Sequence, residues 1–406
     1  MQGPRRPCLE QTTRAGSAGS PPNFRSLAPP LRSSWEINHM LETEEGFLDV
    51  HRTFVLGRSF LGEFQSTVRR LFARSPQVLA DGYSVALKPL RSRHVTSRGL
   101  DSHDLAIGSH CLRQLMDGSS SITQLEDAAV LLLLGQALLV FNTLMPSPDT
   151  HVITRGTLLS VKHWYPALIK RPYLDAVVLT PVLMDTVECL IRREVPVVRL
   201  PDPSRCIIDR FLGLRSSLLP LLYELCERSY EAKTNGCVEH ILQRKSDEED
   251  CYSRVEGKIR AWAPELPAHL FITYSTLEVS MMLAQARTYR MAALLLIHRL
   301  RFPLGIEDLE AQRYADDILR ELSILTAWPP EAETGLGLDF PLLVATLELP
   351  GPGSKIYKAF ESLRFRRQHS QEILSFIKAV DQARENGYRG LWFDLVHDRL
   401  HGLTVT

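Results

Sequence analysis

The chain has 406 residues, of which 44% are hydrophobic and 23% are charged, as in an ordinary soluble protein that can bury a sizeable core. Its 47 basic and 47 acidic side chains cancel, which excludes a phosphate-binding module defined by bulk charge, since such domains usually have a pI above ~9. Its seven cysteines form no dense pattern and no secretory signal precedes them, so we expect reduced thiols in an intracellular protein.

The first 34 residues are predicted to be disordered. They are rich in Pro, Gly, Ser and Arg and carry five arginines against one acid, Glu10. Such a segment buries too little apolar surface to offset the entropy lost on ordering. A flexible tail is favoured over a DNA-contacting arm, because an arm needs a positioned domain behind it. The folded part is therefore predicted to comprise residues 35–406.

Apolar periodicity predicts several helices before the middle of the chain. The segment from Ile122 to Met145 has an almost wholly apolar core, judged too short to span a bilayer, and indicates a buried helix. Helices are also predicted over Leu174–Arg193 and Ile207–Tyr230. The polar stretch from Lys233 to Asp250 is interpreted as an exposed insertion.

The segment from Ala268 to Phe302 is predicted to be the central helix of the domain. It contains no glycine, and its flanking prolines, Pro267 and Pro303, stand where proline ends helices. Between Met291 and Ile297 it has no polar residue, and a helix that is apolar on all sides must be covered on all sides. We therefore expect Leu295 to be buried.

The remaining elements are also helical. An amphipathic helix is predicted over Ile306–Leu325 and an apolar one over Phe340–Leu349, ended by a turn at Pro350–Gly353. Two amphipathic helices, at His369–Arg384 and Leu391–Leu400, close the chain. No segment alternates as a strand does, so the predicted fold class is all-α, an irregular multi-helix superhelical domain.

Three stretches of the sequence resemble one family in combination. They are LAQARTYRMAALLLIHRLRFP from Leu283 to Pro303, LMDTVECLIRREVPVVR from Leu183 to Arg199, and LLPLLYELC from Leu218 to Cys226. This set is similar to the fungal-specific transcription factor domain, the helical region that follows the zinc binuclear cluster in many fungal regulators. The resemblance is judged to extend from Trp35 to the C-terminus, and it implies a nuclear regulator of transcription.

The zinc cluster that precedes this domain in the family is not found in the chain. The cluster needs six cysteines in close pairs, whereas the sequence has no CxxC and only Cys8 before residue 111. Sequence-specific DNA binding is therefore not expected. Two explanations stay open: a partner subunit without DNA contacts, or a start codon that misses an upstream exon.

Acidic residues on one predicted helix suggest an alternative function. Asp316 and Asp317, with Glu321 five residues after the first, are similar to the magnesium-binding motif of all-α terpene cyclases. The second magnesium motif of those enzymes is missing. The alternative is thus a magnesium-dependent enzyme acting on prenyl diphosphates, and an exposed charged helix face is favoured over it.

Histidines offer two further candidate sites. His397 and His401 are spaced as in a zinc-protease helix, but the intervening acid is Asp398 and no third ligand is evident, so surface histidines are favoured. His298 is expected to hydrogen-bond a carboxylate such as Asp308. We assign no catalytic residue, no cofactor, no cofactor-binding residue and no metal site.

These observations together predict a transcription regulator rather than an enzyme. It is expected to act in the nucleus through contacts with other transcription regulators or the transcription machinery, as part of a homo- or heterodimer. No membrane association and no strong direct DNA binding are expected.

Overall fold

A computed structural model describes residues 31–91, 101–118, 122–142, 150–201, 205–235, 250–326, 337–360 and 367–396. The α-helices, numbered in chain order, are α1 Leu31–Glu42, α2 Glu44–His51, α3 Leu61–Arg74, α4 Pro76–Arg91, α5 Ser102–Asp117, α6 Leu125–Asn142, α7 Thr150–Val161, α8 Tyr165–Leu168, α9 Asp175–Arg192, α10 Leu219–Thr234, α11 Ser253–Ala261, α12 Leu270–Thr273, α13 Thr276–Arg301, α14 Asp308–Thr326, α15 Asp339–Glu348, α16 Pro350–Ala359 and α17 Arg367–Glu385. Short 3-10 helices lie at Arg52–Phe54, Arg58–Phe60, Lys162–Trp164, Pro172–Leu174, Ser216–Leu218 and Trp392–Leu395.

The predicted all-α fold class is confirmed. Within these residues the chain has no β-strand, and its one isolated β-bridge joins Asp209 to Gly213. The predicted disordered segment lies outside the described residues as far as residue 30, and α1 begins at Leu31. Residues 236–249, most of the predicted insertion, also lie outside them.

Helix α6 forms the core of the N-terminal half. Helices α3, α4, α5, α7 and α9 pack around it, and its residues from Ala128 to Phe141 are buried with the single exception of Gln136. By length and composition this helix could cross a membrane, yet 72% of it is buried inside the protein. The prediction that it is too short to span a bilayer is thus wrong, and its packing identifies it as a core helix.

Helix α13 is the second core helix, and α11, α14 and α15 pack against it. Leu295 is 1% exposed, which confirms its predicted burial. The helix begins at Thr276 and not near Ala268, because the Ser275 and Glu278 side chains cap each other's backbone N–H groups. The residues before it form the separate one-turn helix α12.

Two other predicted boundaries differ from the structure. The segment from Ile207 to Arg215 is not helical, because Gly213 adopts a left-handed φ of 56° and the Asp209 carboxylate accepts hydrogen bonds from two following N–H groups. Pro350 does not begin a turn; it occupies the first turn of α16, where a missing N–H costs nothing. Of the last predicted helix, Leu391–Leu400, the structure describes residues 391–396, which contain the 3-10 turn Trp392–Leu395.

Candidate functional site

An apolar projection stands at the N-terminal end of the central helix. It consists of Leu266, Phe271 and Ile272, and the last two are 69% and 86% exposed. Leu270, directly before Phe271, is fully buried, and the ring of Tyr274, between Ile272 and α13, stacks on Phe60 at 4.8 Å. The core contacts of Leu270 and Tyr274 therefore fix the position of the projection, while the side chains of Phe271 and Ile272 face solvent.

A buried carboxylate, that of Glu278, fixes the start of α13, which follows this projection in the chain. Glu278 Oε1 accepts a hydrogen bond from the Ser59 N–H at 3.0 Å, and Oε2 accepts one from Ser59 Oγ at 2.8 Å. Glu278 also accepts from the Ser275 N–H at 2.8 Å. Gly57 allows this approach, since a Cβ there would lie 2.0 Å from Glu278 Oε1. The start of α13 is thereby tied to residues far upstream in the chain.

The C-terminal end of α13 is held by Arg299, whose side chain is 1% exposed. Its guanidinium donates two parallel hydrogen bonds to Glu348, at 2.7 and 2.6 Å, and a third to Asp308 at 2.7 Å. It also donates to the carbonyl of Ile306 at 3.1 Å. A planar guanidinium can satisfy this many acceptors at once, which an ammonium cannot.

The neighbours of Arg299 complete a buried ionic cluster. Arg384 on α17 donates to Glu348 at 3.0 Å. Although burial acts to raise the pKa of Asp308, the hydrogen bond and charge of Arg299 hold that pKa below its usual range. Because the partners lie on α13, α14, α15 and α17, the cluster fixes the mutual positions of four helices.

The non-helical segment from Ile207 to Arg215, which we call the bend before α10, carries two buried arginines, Arg210 and Arg215. Arg210 donates to the carbonyl of Ala176 at 2.8 Å and to that of Phe54, and its guanidinium lies 3.8 Å from the centre of the Phe64 ring. Burial lowers the pKa of Arg210 to about 10, and the nearby Asp209 opposes this shift. These contacts join α9 and α3 to the loop that follows α2.

Arg215 joins the bend to the central helix α13 and to Gly337. It donates to the carbonyls of Leu212, at 2.8 Å, and Gly337, at 3.1 Å, and lies 3.9 Å from the centre of the Tyr289 ring. Burial raises the pKa of the neighbouring Asp209, whose Oδ2 has no hydrogen-bond partner among the described residues. The bend is thus a polar centre enclosed by the apolar core.

The family-like stretch from Leu183 to Arg199 contains another polar cluster. Asp185 accepts from the Val197 N–H at 2.6 Å and pairs with Arg155 at 3.4 Å, while Arg155 also donates to the Val195 carbonyl at 3.1 Å. Burial raises the pKa of Asp185, and the hydrogen bond from Val197 opposes it. Arg155 lies 3.6 Å from Glu194, so two carboxylates compensate its charge.

The acidic candidates on α14 do not form a metal site. The side chains of Asp316 and Asp317 are 60% and 55% exposed, and both pair with Arg320. Glu321 instead pairs with Arg287 at 3.2 Å. Among the described residues no group of three or more His, Cys, Asp or Glu side chains could hold a metal ion.

The histidine predictions have different outcomes. His298 is buried, but its Nε2 bonds the Glu307 carbonyl at 3.0 Å and not Asp308, because Arg299 already occupies that carboxylate. The expected partner was therefore wrong. Burial lowers the pKa of His298, so its neutral form is favoured. His397 and His401 lie outside the described residues.

Sequence reasoning missed the residues that organise this region. The Ser275-x-x-Glu278 pattern was a visible sign of a helix start, but nothing in the sequence placed Ser59 beside it. The buried state of Arg210 and Arg215 also left no local sign, because a charged residue is expected at the surface. The buried polar side chains Glu278, Arg210, Arg215 and Arg299 hold helices and loops together, whereas Phe271 and Ile272 face solvent.

Comparison with known proteins agrees with the resemblance carried by the motifs. The sequence model described as fungal specific transcription factor domain matches residues 151–403, more than half of the chain. This range begins within α7, later than the Trp35 boundary judged from the sequence. No curated protein and no solved structure matches the chain.

Proposed function

The chain belongs to the fungal-specific transcription factor domain family, and from this membership we infer that it regulates transcription in the nucleus through contacts with other proteins. The family match over residues 151–403 is the observation that carries this proposal. The buried charged groups described above hold helices together, and such a helical scaffold suits a role in binding rather than in catalysis.

The apolar projection is the surface that we assign to these contacts. Phe271 and Ile272 are large, exposed and adjacent, on a turn whose Leu270 is anchored in the core. Apolar groups presented on a fixed element lose little entropy when they are covered, and clustered exposed apolar residues are typical of protein interaction sites. The partner that suits them is a regulator or a component of the transcription machinery with an apolar groove.

DNA binding is expected to be weak, and catalysis is not part of the proposal. Asp316 and Asp317 lie on an exposed helix face and pair with Arg320, an arrangement that does not favour the magnesium-dependent alternative. Turnover of a prenyl diphosphate by the purified chain, lost in the Asp316→Asn and Asp317→Asn double variant, would contradict the proposal.

A tethered reporter assay tests the function. The chain is fused to an unrelated DNA-binding domain, and transcription from a reporter with the matching site is compared with that domain alone. We expect a change in reporter transcription that Ile272→Asp abolishes. Leu309→Asp is the matched control, since Leu309 is equally apolar and 75% exposed but lies on α14.

Two results would contradict the proposal. One is a reporter level indistinguishable from that of the DNA-binding domain alone when the fusion is expressed and nuclear. The other is an equal loss of the reporter effect in Ile272→Asp and Leu309→Asp at unchanged protein level. That result would mean that the projection is not the surface that contacts the partner. Immunoblotting of each fusion separates loss of function from loss of protein.

A further inference from the structure

A group of exposed cations lies at the connection between α7 and α9. From Thr150 to Leu174 the chain contains no acidic residue, although 47 of its 406 residues are acidic. Three basic side chains of the connection are exposed, and Arg70 is exposed on the neighbouring helix α3. We call these four residues the basic patch: Arg70, Lys162, Lys170 and Arg171.

Tyr173 brings the two parts of the basic patch together. The Arg70 guanidinium lies 4.2 Å from the centre of the Tyr173 ring. Thr67, on the same helix as Arg70, donates to the Tyr173 carbonyl at 2.6 Å. Burial and the hydrogen bond to Glu126 raise the pKa of Tyr173, and the charges of Arg70 and Arg171 oppose this shift. Arg70 and Arg171 therefore lie close to the same ring.

The carboxylates nearest the basic patch already have partners. Asp175, the first acid after the connection, is buried and pairs with Arg205 at 2.6 Å. Asp127 pairs with Arg74 at 2.8 Å. Within the part of the chain that the structure describes, no carboxylate forms an ion pair with any of the four cations of the patch. Like charges without partners repel each other, and an anionic partner relieves that repulsion.

Two contacts connect the basic patch with the apolar projection. Arg205 donates to the carbonyl of Ile169 at 3.4 Å, and Ile169 directly precedes a residue of the patch. Cys206, the next residue after Arg205, donates from its thiol to the carbonyl of Glu265 at 3.8 Å. Glu265 directly precedes the first residue of the projection. Because Arg205, Cys206 and Ile169 are partly exposed, the patch and the projection lie on one continuous stretch of surface.

One short segment of a partner can reach both regions. The path from Lys170 to Leu266 consists of the two contacts just described and the side chains of Arg205 and Cys206. Its length is at most roughly 20 Å, and an extended chain covers about 3.3 Å per residue. A segment of about seven or eight residues therefore spans the distance between the patch and the projection.

From this arrangement we propose that the basic patch and the apolar projection form one docking surface for a partner segment that has an acidic end and an apolar end. This inference rests on the proposed function and specifies the chemistry of the protein partner. Glu265 is exposed beside the projection and would repel acidic residues there. The acidic end of the segment therefore faces the patch, and its large apolar side chains enclose Phe271 and Ile272 as the walls of a groove do.

A nucleic acid suits this surface less well than such a segment. Four cations can neutralise only a few phosphates, and the exposed carboxylate of Glu265 repels a phosphate backbone. Phe271 and Ile272 gain from being covered by apolar groups, which a sugar–phosphate backbone does not supply. Duplex DNA is the competing occupant in the experiment below.

Fluorescence anisotropy of the full chain with labelled peptides tests the chemistry of the partner. Each peptide has about twelve residues, enough to cover both regions, with glutamates at one end and leucine and phenylalanine at the other, and both chain directions are made. Over roughly 1 to 200 µM protein we expect saturable binding that weakens as salt rises. A peptide with glutamine in place of every glutamate should bind about fivefold more weakly or worse, because it lacks the charge that the patch attracts.

Charge reversal in the protein tests the location of the surface. Lys170→Glu combined with Arg171→Glu should raise the Kd of the glutamate peptide about fivefold or more and leave that of the glutamine peptide nearly unchanged. The matched control is Lys355→Glu combined with Lys358→Glu, which makes the same change of charge at two exposed lysines of α16 and should preserve binding. Ile272→Asp should weaken both peptides. Circular dichroism checks that each variant is folded.

The comparison of the two peptides uses the unaltered protein, so it decides the question of charge even where a variant fails to fold. Preference for the glutamate peptide, lost in the patch variant and kept in the α16 variant, supports the proposal. Equal binding of the two peptides overturns it, as does an equal loss in both charge-reversal variants, which would mean general attraction to the protein. A random-sequence duplex DNA that binds more tightly than the peptide, and loses binding in the patch variant, would make the patch a phosphate-binding surface and overturn the proposal.

The reporter assay separates this inference from the proposed function. A chain that binds neither peptide direction, while its reporter fusion still changes transcription, refutes the docking surface alone. Preferential binding of the glutamate peptide by a chain whose reporter fusion is inactive supports the docking surface and contradicts only the proposed function.

Discussion

Replacing Arg299 should destabilise the whole helical domain. Arg299→Ala removes both hydrogen bonds to Glu348, whose side chain is itself 1% exposed, and leaves that carboxylate with Arg384 alone. It also removes the donor to Asp308 and to the Ile306 carbonyl. Breaking a buried ion pair by removing one partner costs about 3–5 kcal/mol. That loss is a large part of a domain stability of about 5–15 kcal/mol.

Two further variants sharpen this prediction. Arg299→Lys keeps the charge but cannot satisfy both Glu348 oxygens and Asp308 together, so we expect an intermediate loss. Arg320→Ala is the matched control, because its ion pairs are formed by side chains more than half exposed and are worth about 0–1 kcal/mol.

Urea denaturation followed by far-ultraviolet circular dichroism gives the free energy of unfolding of each variant. The expected order of stability is wild type, nearly equal to Arg320→Ala, then Arg299→Lys, then Arg299→Ala. A loss below ~1 kcal/mol for Arg299→Ala, or a loss equal to that of Arg320→Ala, would refute the reasoning that the buried cluster holds the four helices.

Four other outcomes are expected. Leu295→Asp should leave the protein unfolded or aggregated, because a lone buried charge costs several kcal/mol. Leu309→Asp, at an exposed position, should remain soluble. Two soluble variants of equal helicity would contradict this prediction. His51, whose Nδ1 faces the Phe47 carbonyl at 3.1 Å, has its pKa lowered to about 3 by burial, with Arg210 adding to the effect. Its contribution to stability is therefore full above the unfolded pKa of ~6.5 and is lost as the pH falls, by up to ~1.4 kcal/mol per pH unit. Unfolding of wild type and His51→Gln should diverge in slope between pH 7 and 5, and parallel profiles would rule out this role. Elemental analysis of the reduced, untagged chain should find well under one zinc per molecule; two zinc ions that resist a chelator would show the cysteine argument to be mistaken. The chain should bind duplex DNA weakly, without sequence preference and less as salt rises, and a specific footprint at physiological salt would argue against a protein-contact regulator.

The fold class could be predicted from the sequence because helices that pack against a core have apolar residues at helical spacing. The apolar runs that became α6 and α13 needed cover on every side, and the structure buries both. Boundaries were harder wherever a side chain overrode the pattern. The Asp209 carboxylate and the left-handed Gly213 interrupt a run of apolar residues that otherwise resembles a helix.

The polar contacts could not be predicted, because they join residues that are distant in sequence. Ser59 meets Glu278 across 219 positions, and Arg299 meets Glu348 across 49. Each of these side chains, considered alone, is an ordinary surface residue. His298 illustrates the same limit: its expected partner was close in sequence, but a neighbouring arginine competed for that carboxylate successfully.

The bond between Ser59 and Glu278 has a consequence for synthesis on the ribosome. Residues 31–142 emerge early, yet the Glu278 carboxylate that anchors Ser59 and the Arg210 guanidinium that binds the Phe54 carbonyl are translated much later. Until then the N-terminal helices lack part of their packing and expose apolar surface, a condition in which chaperones bind nascent chains. Completion of this half of the protein must therefore wait until the central helix has left the exit tunnel.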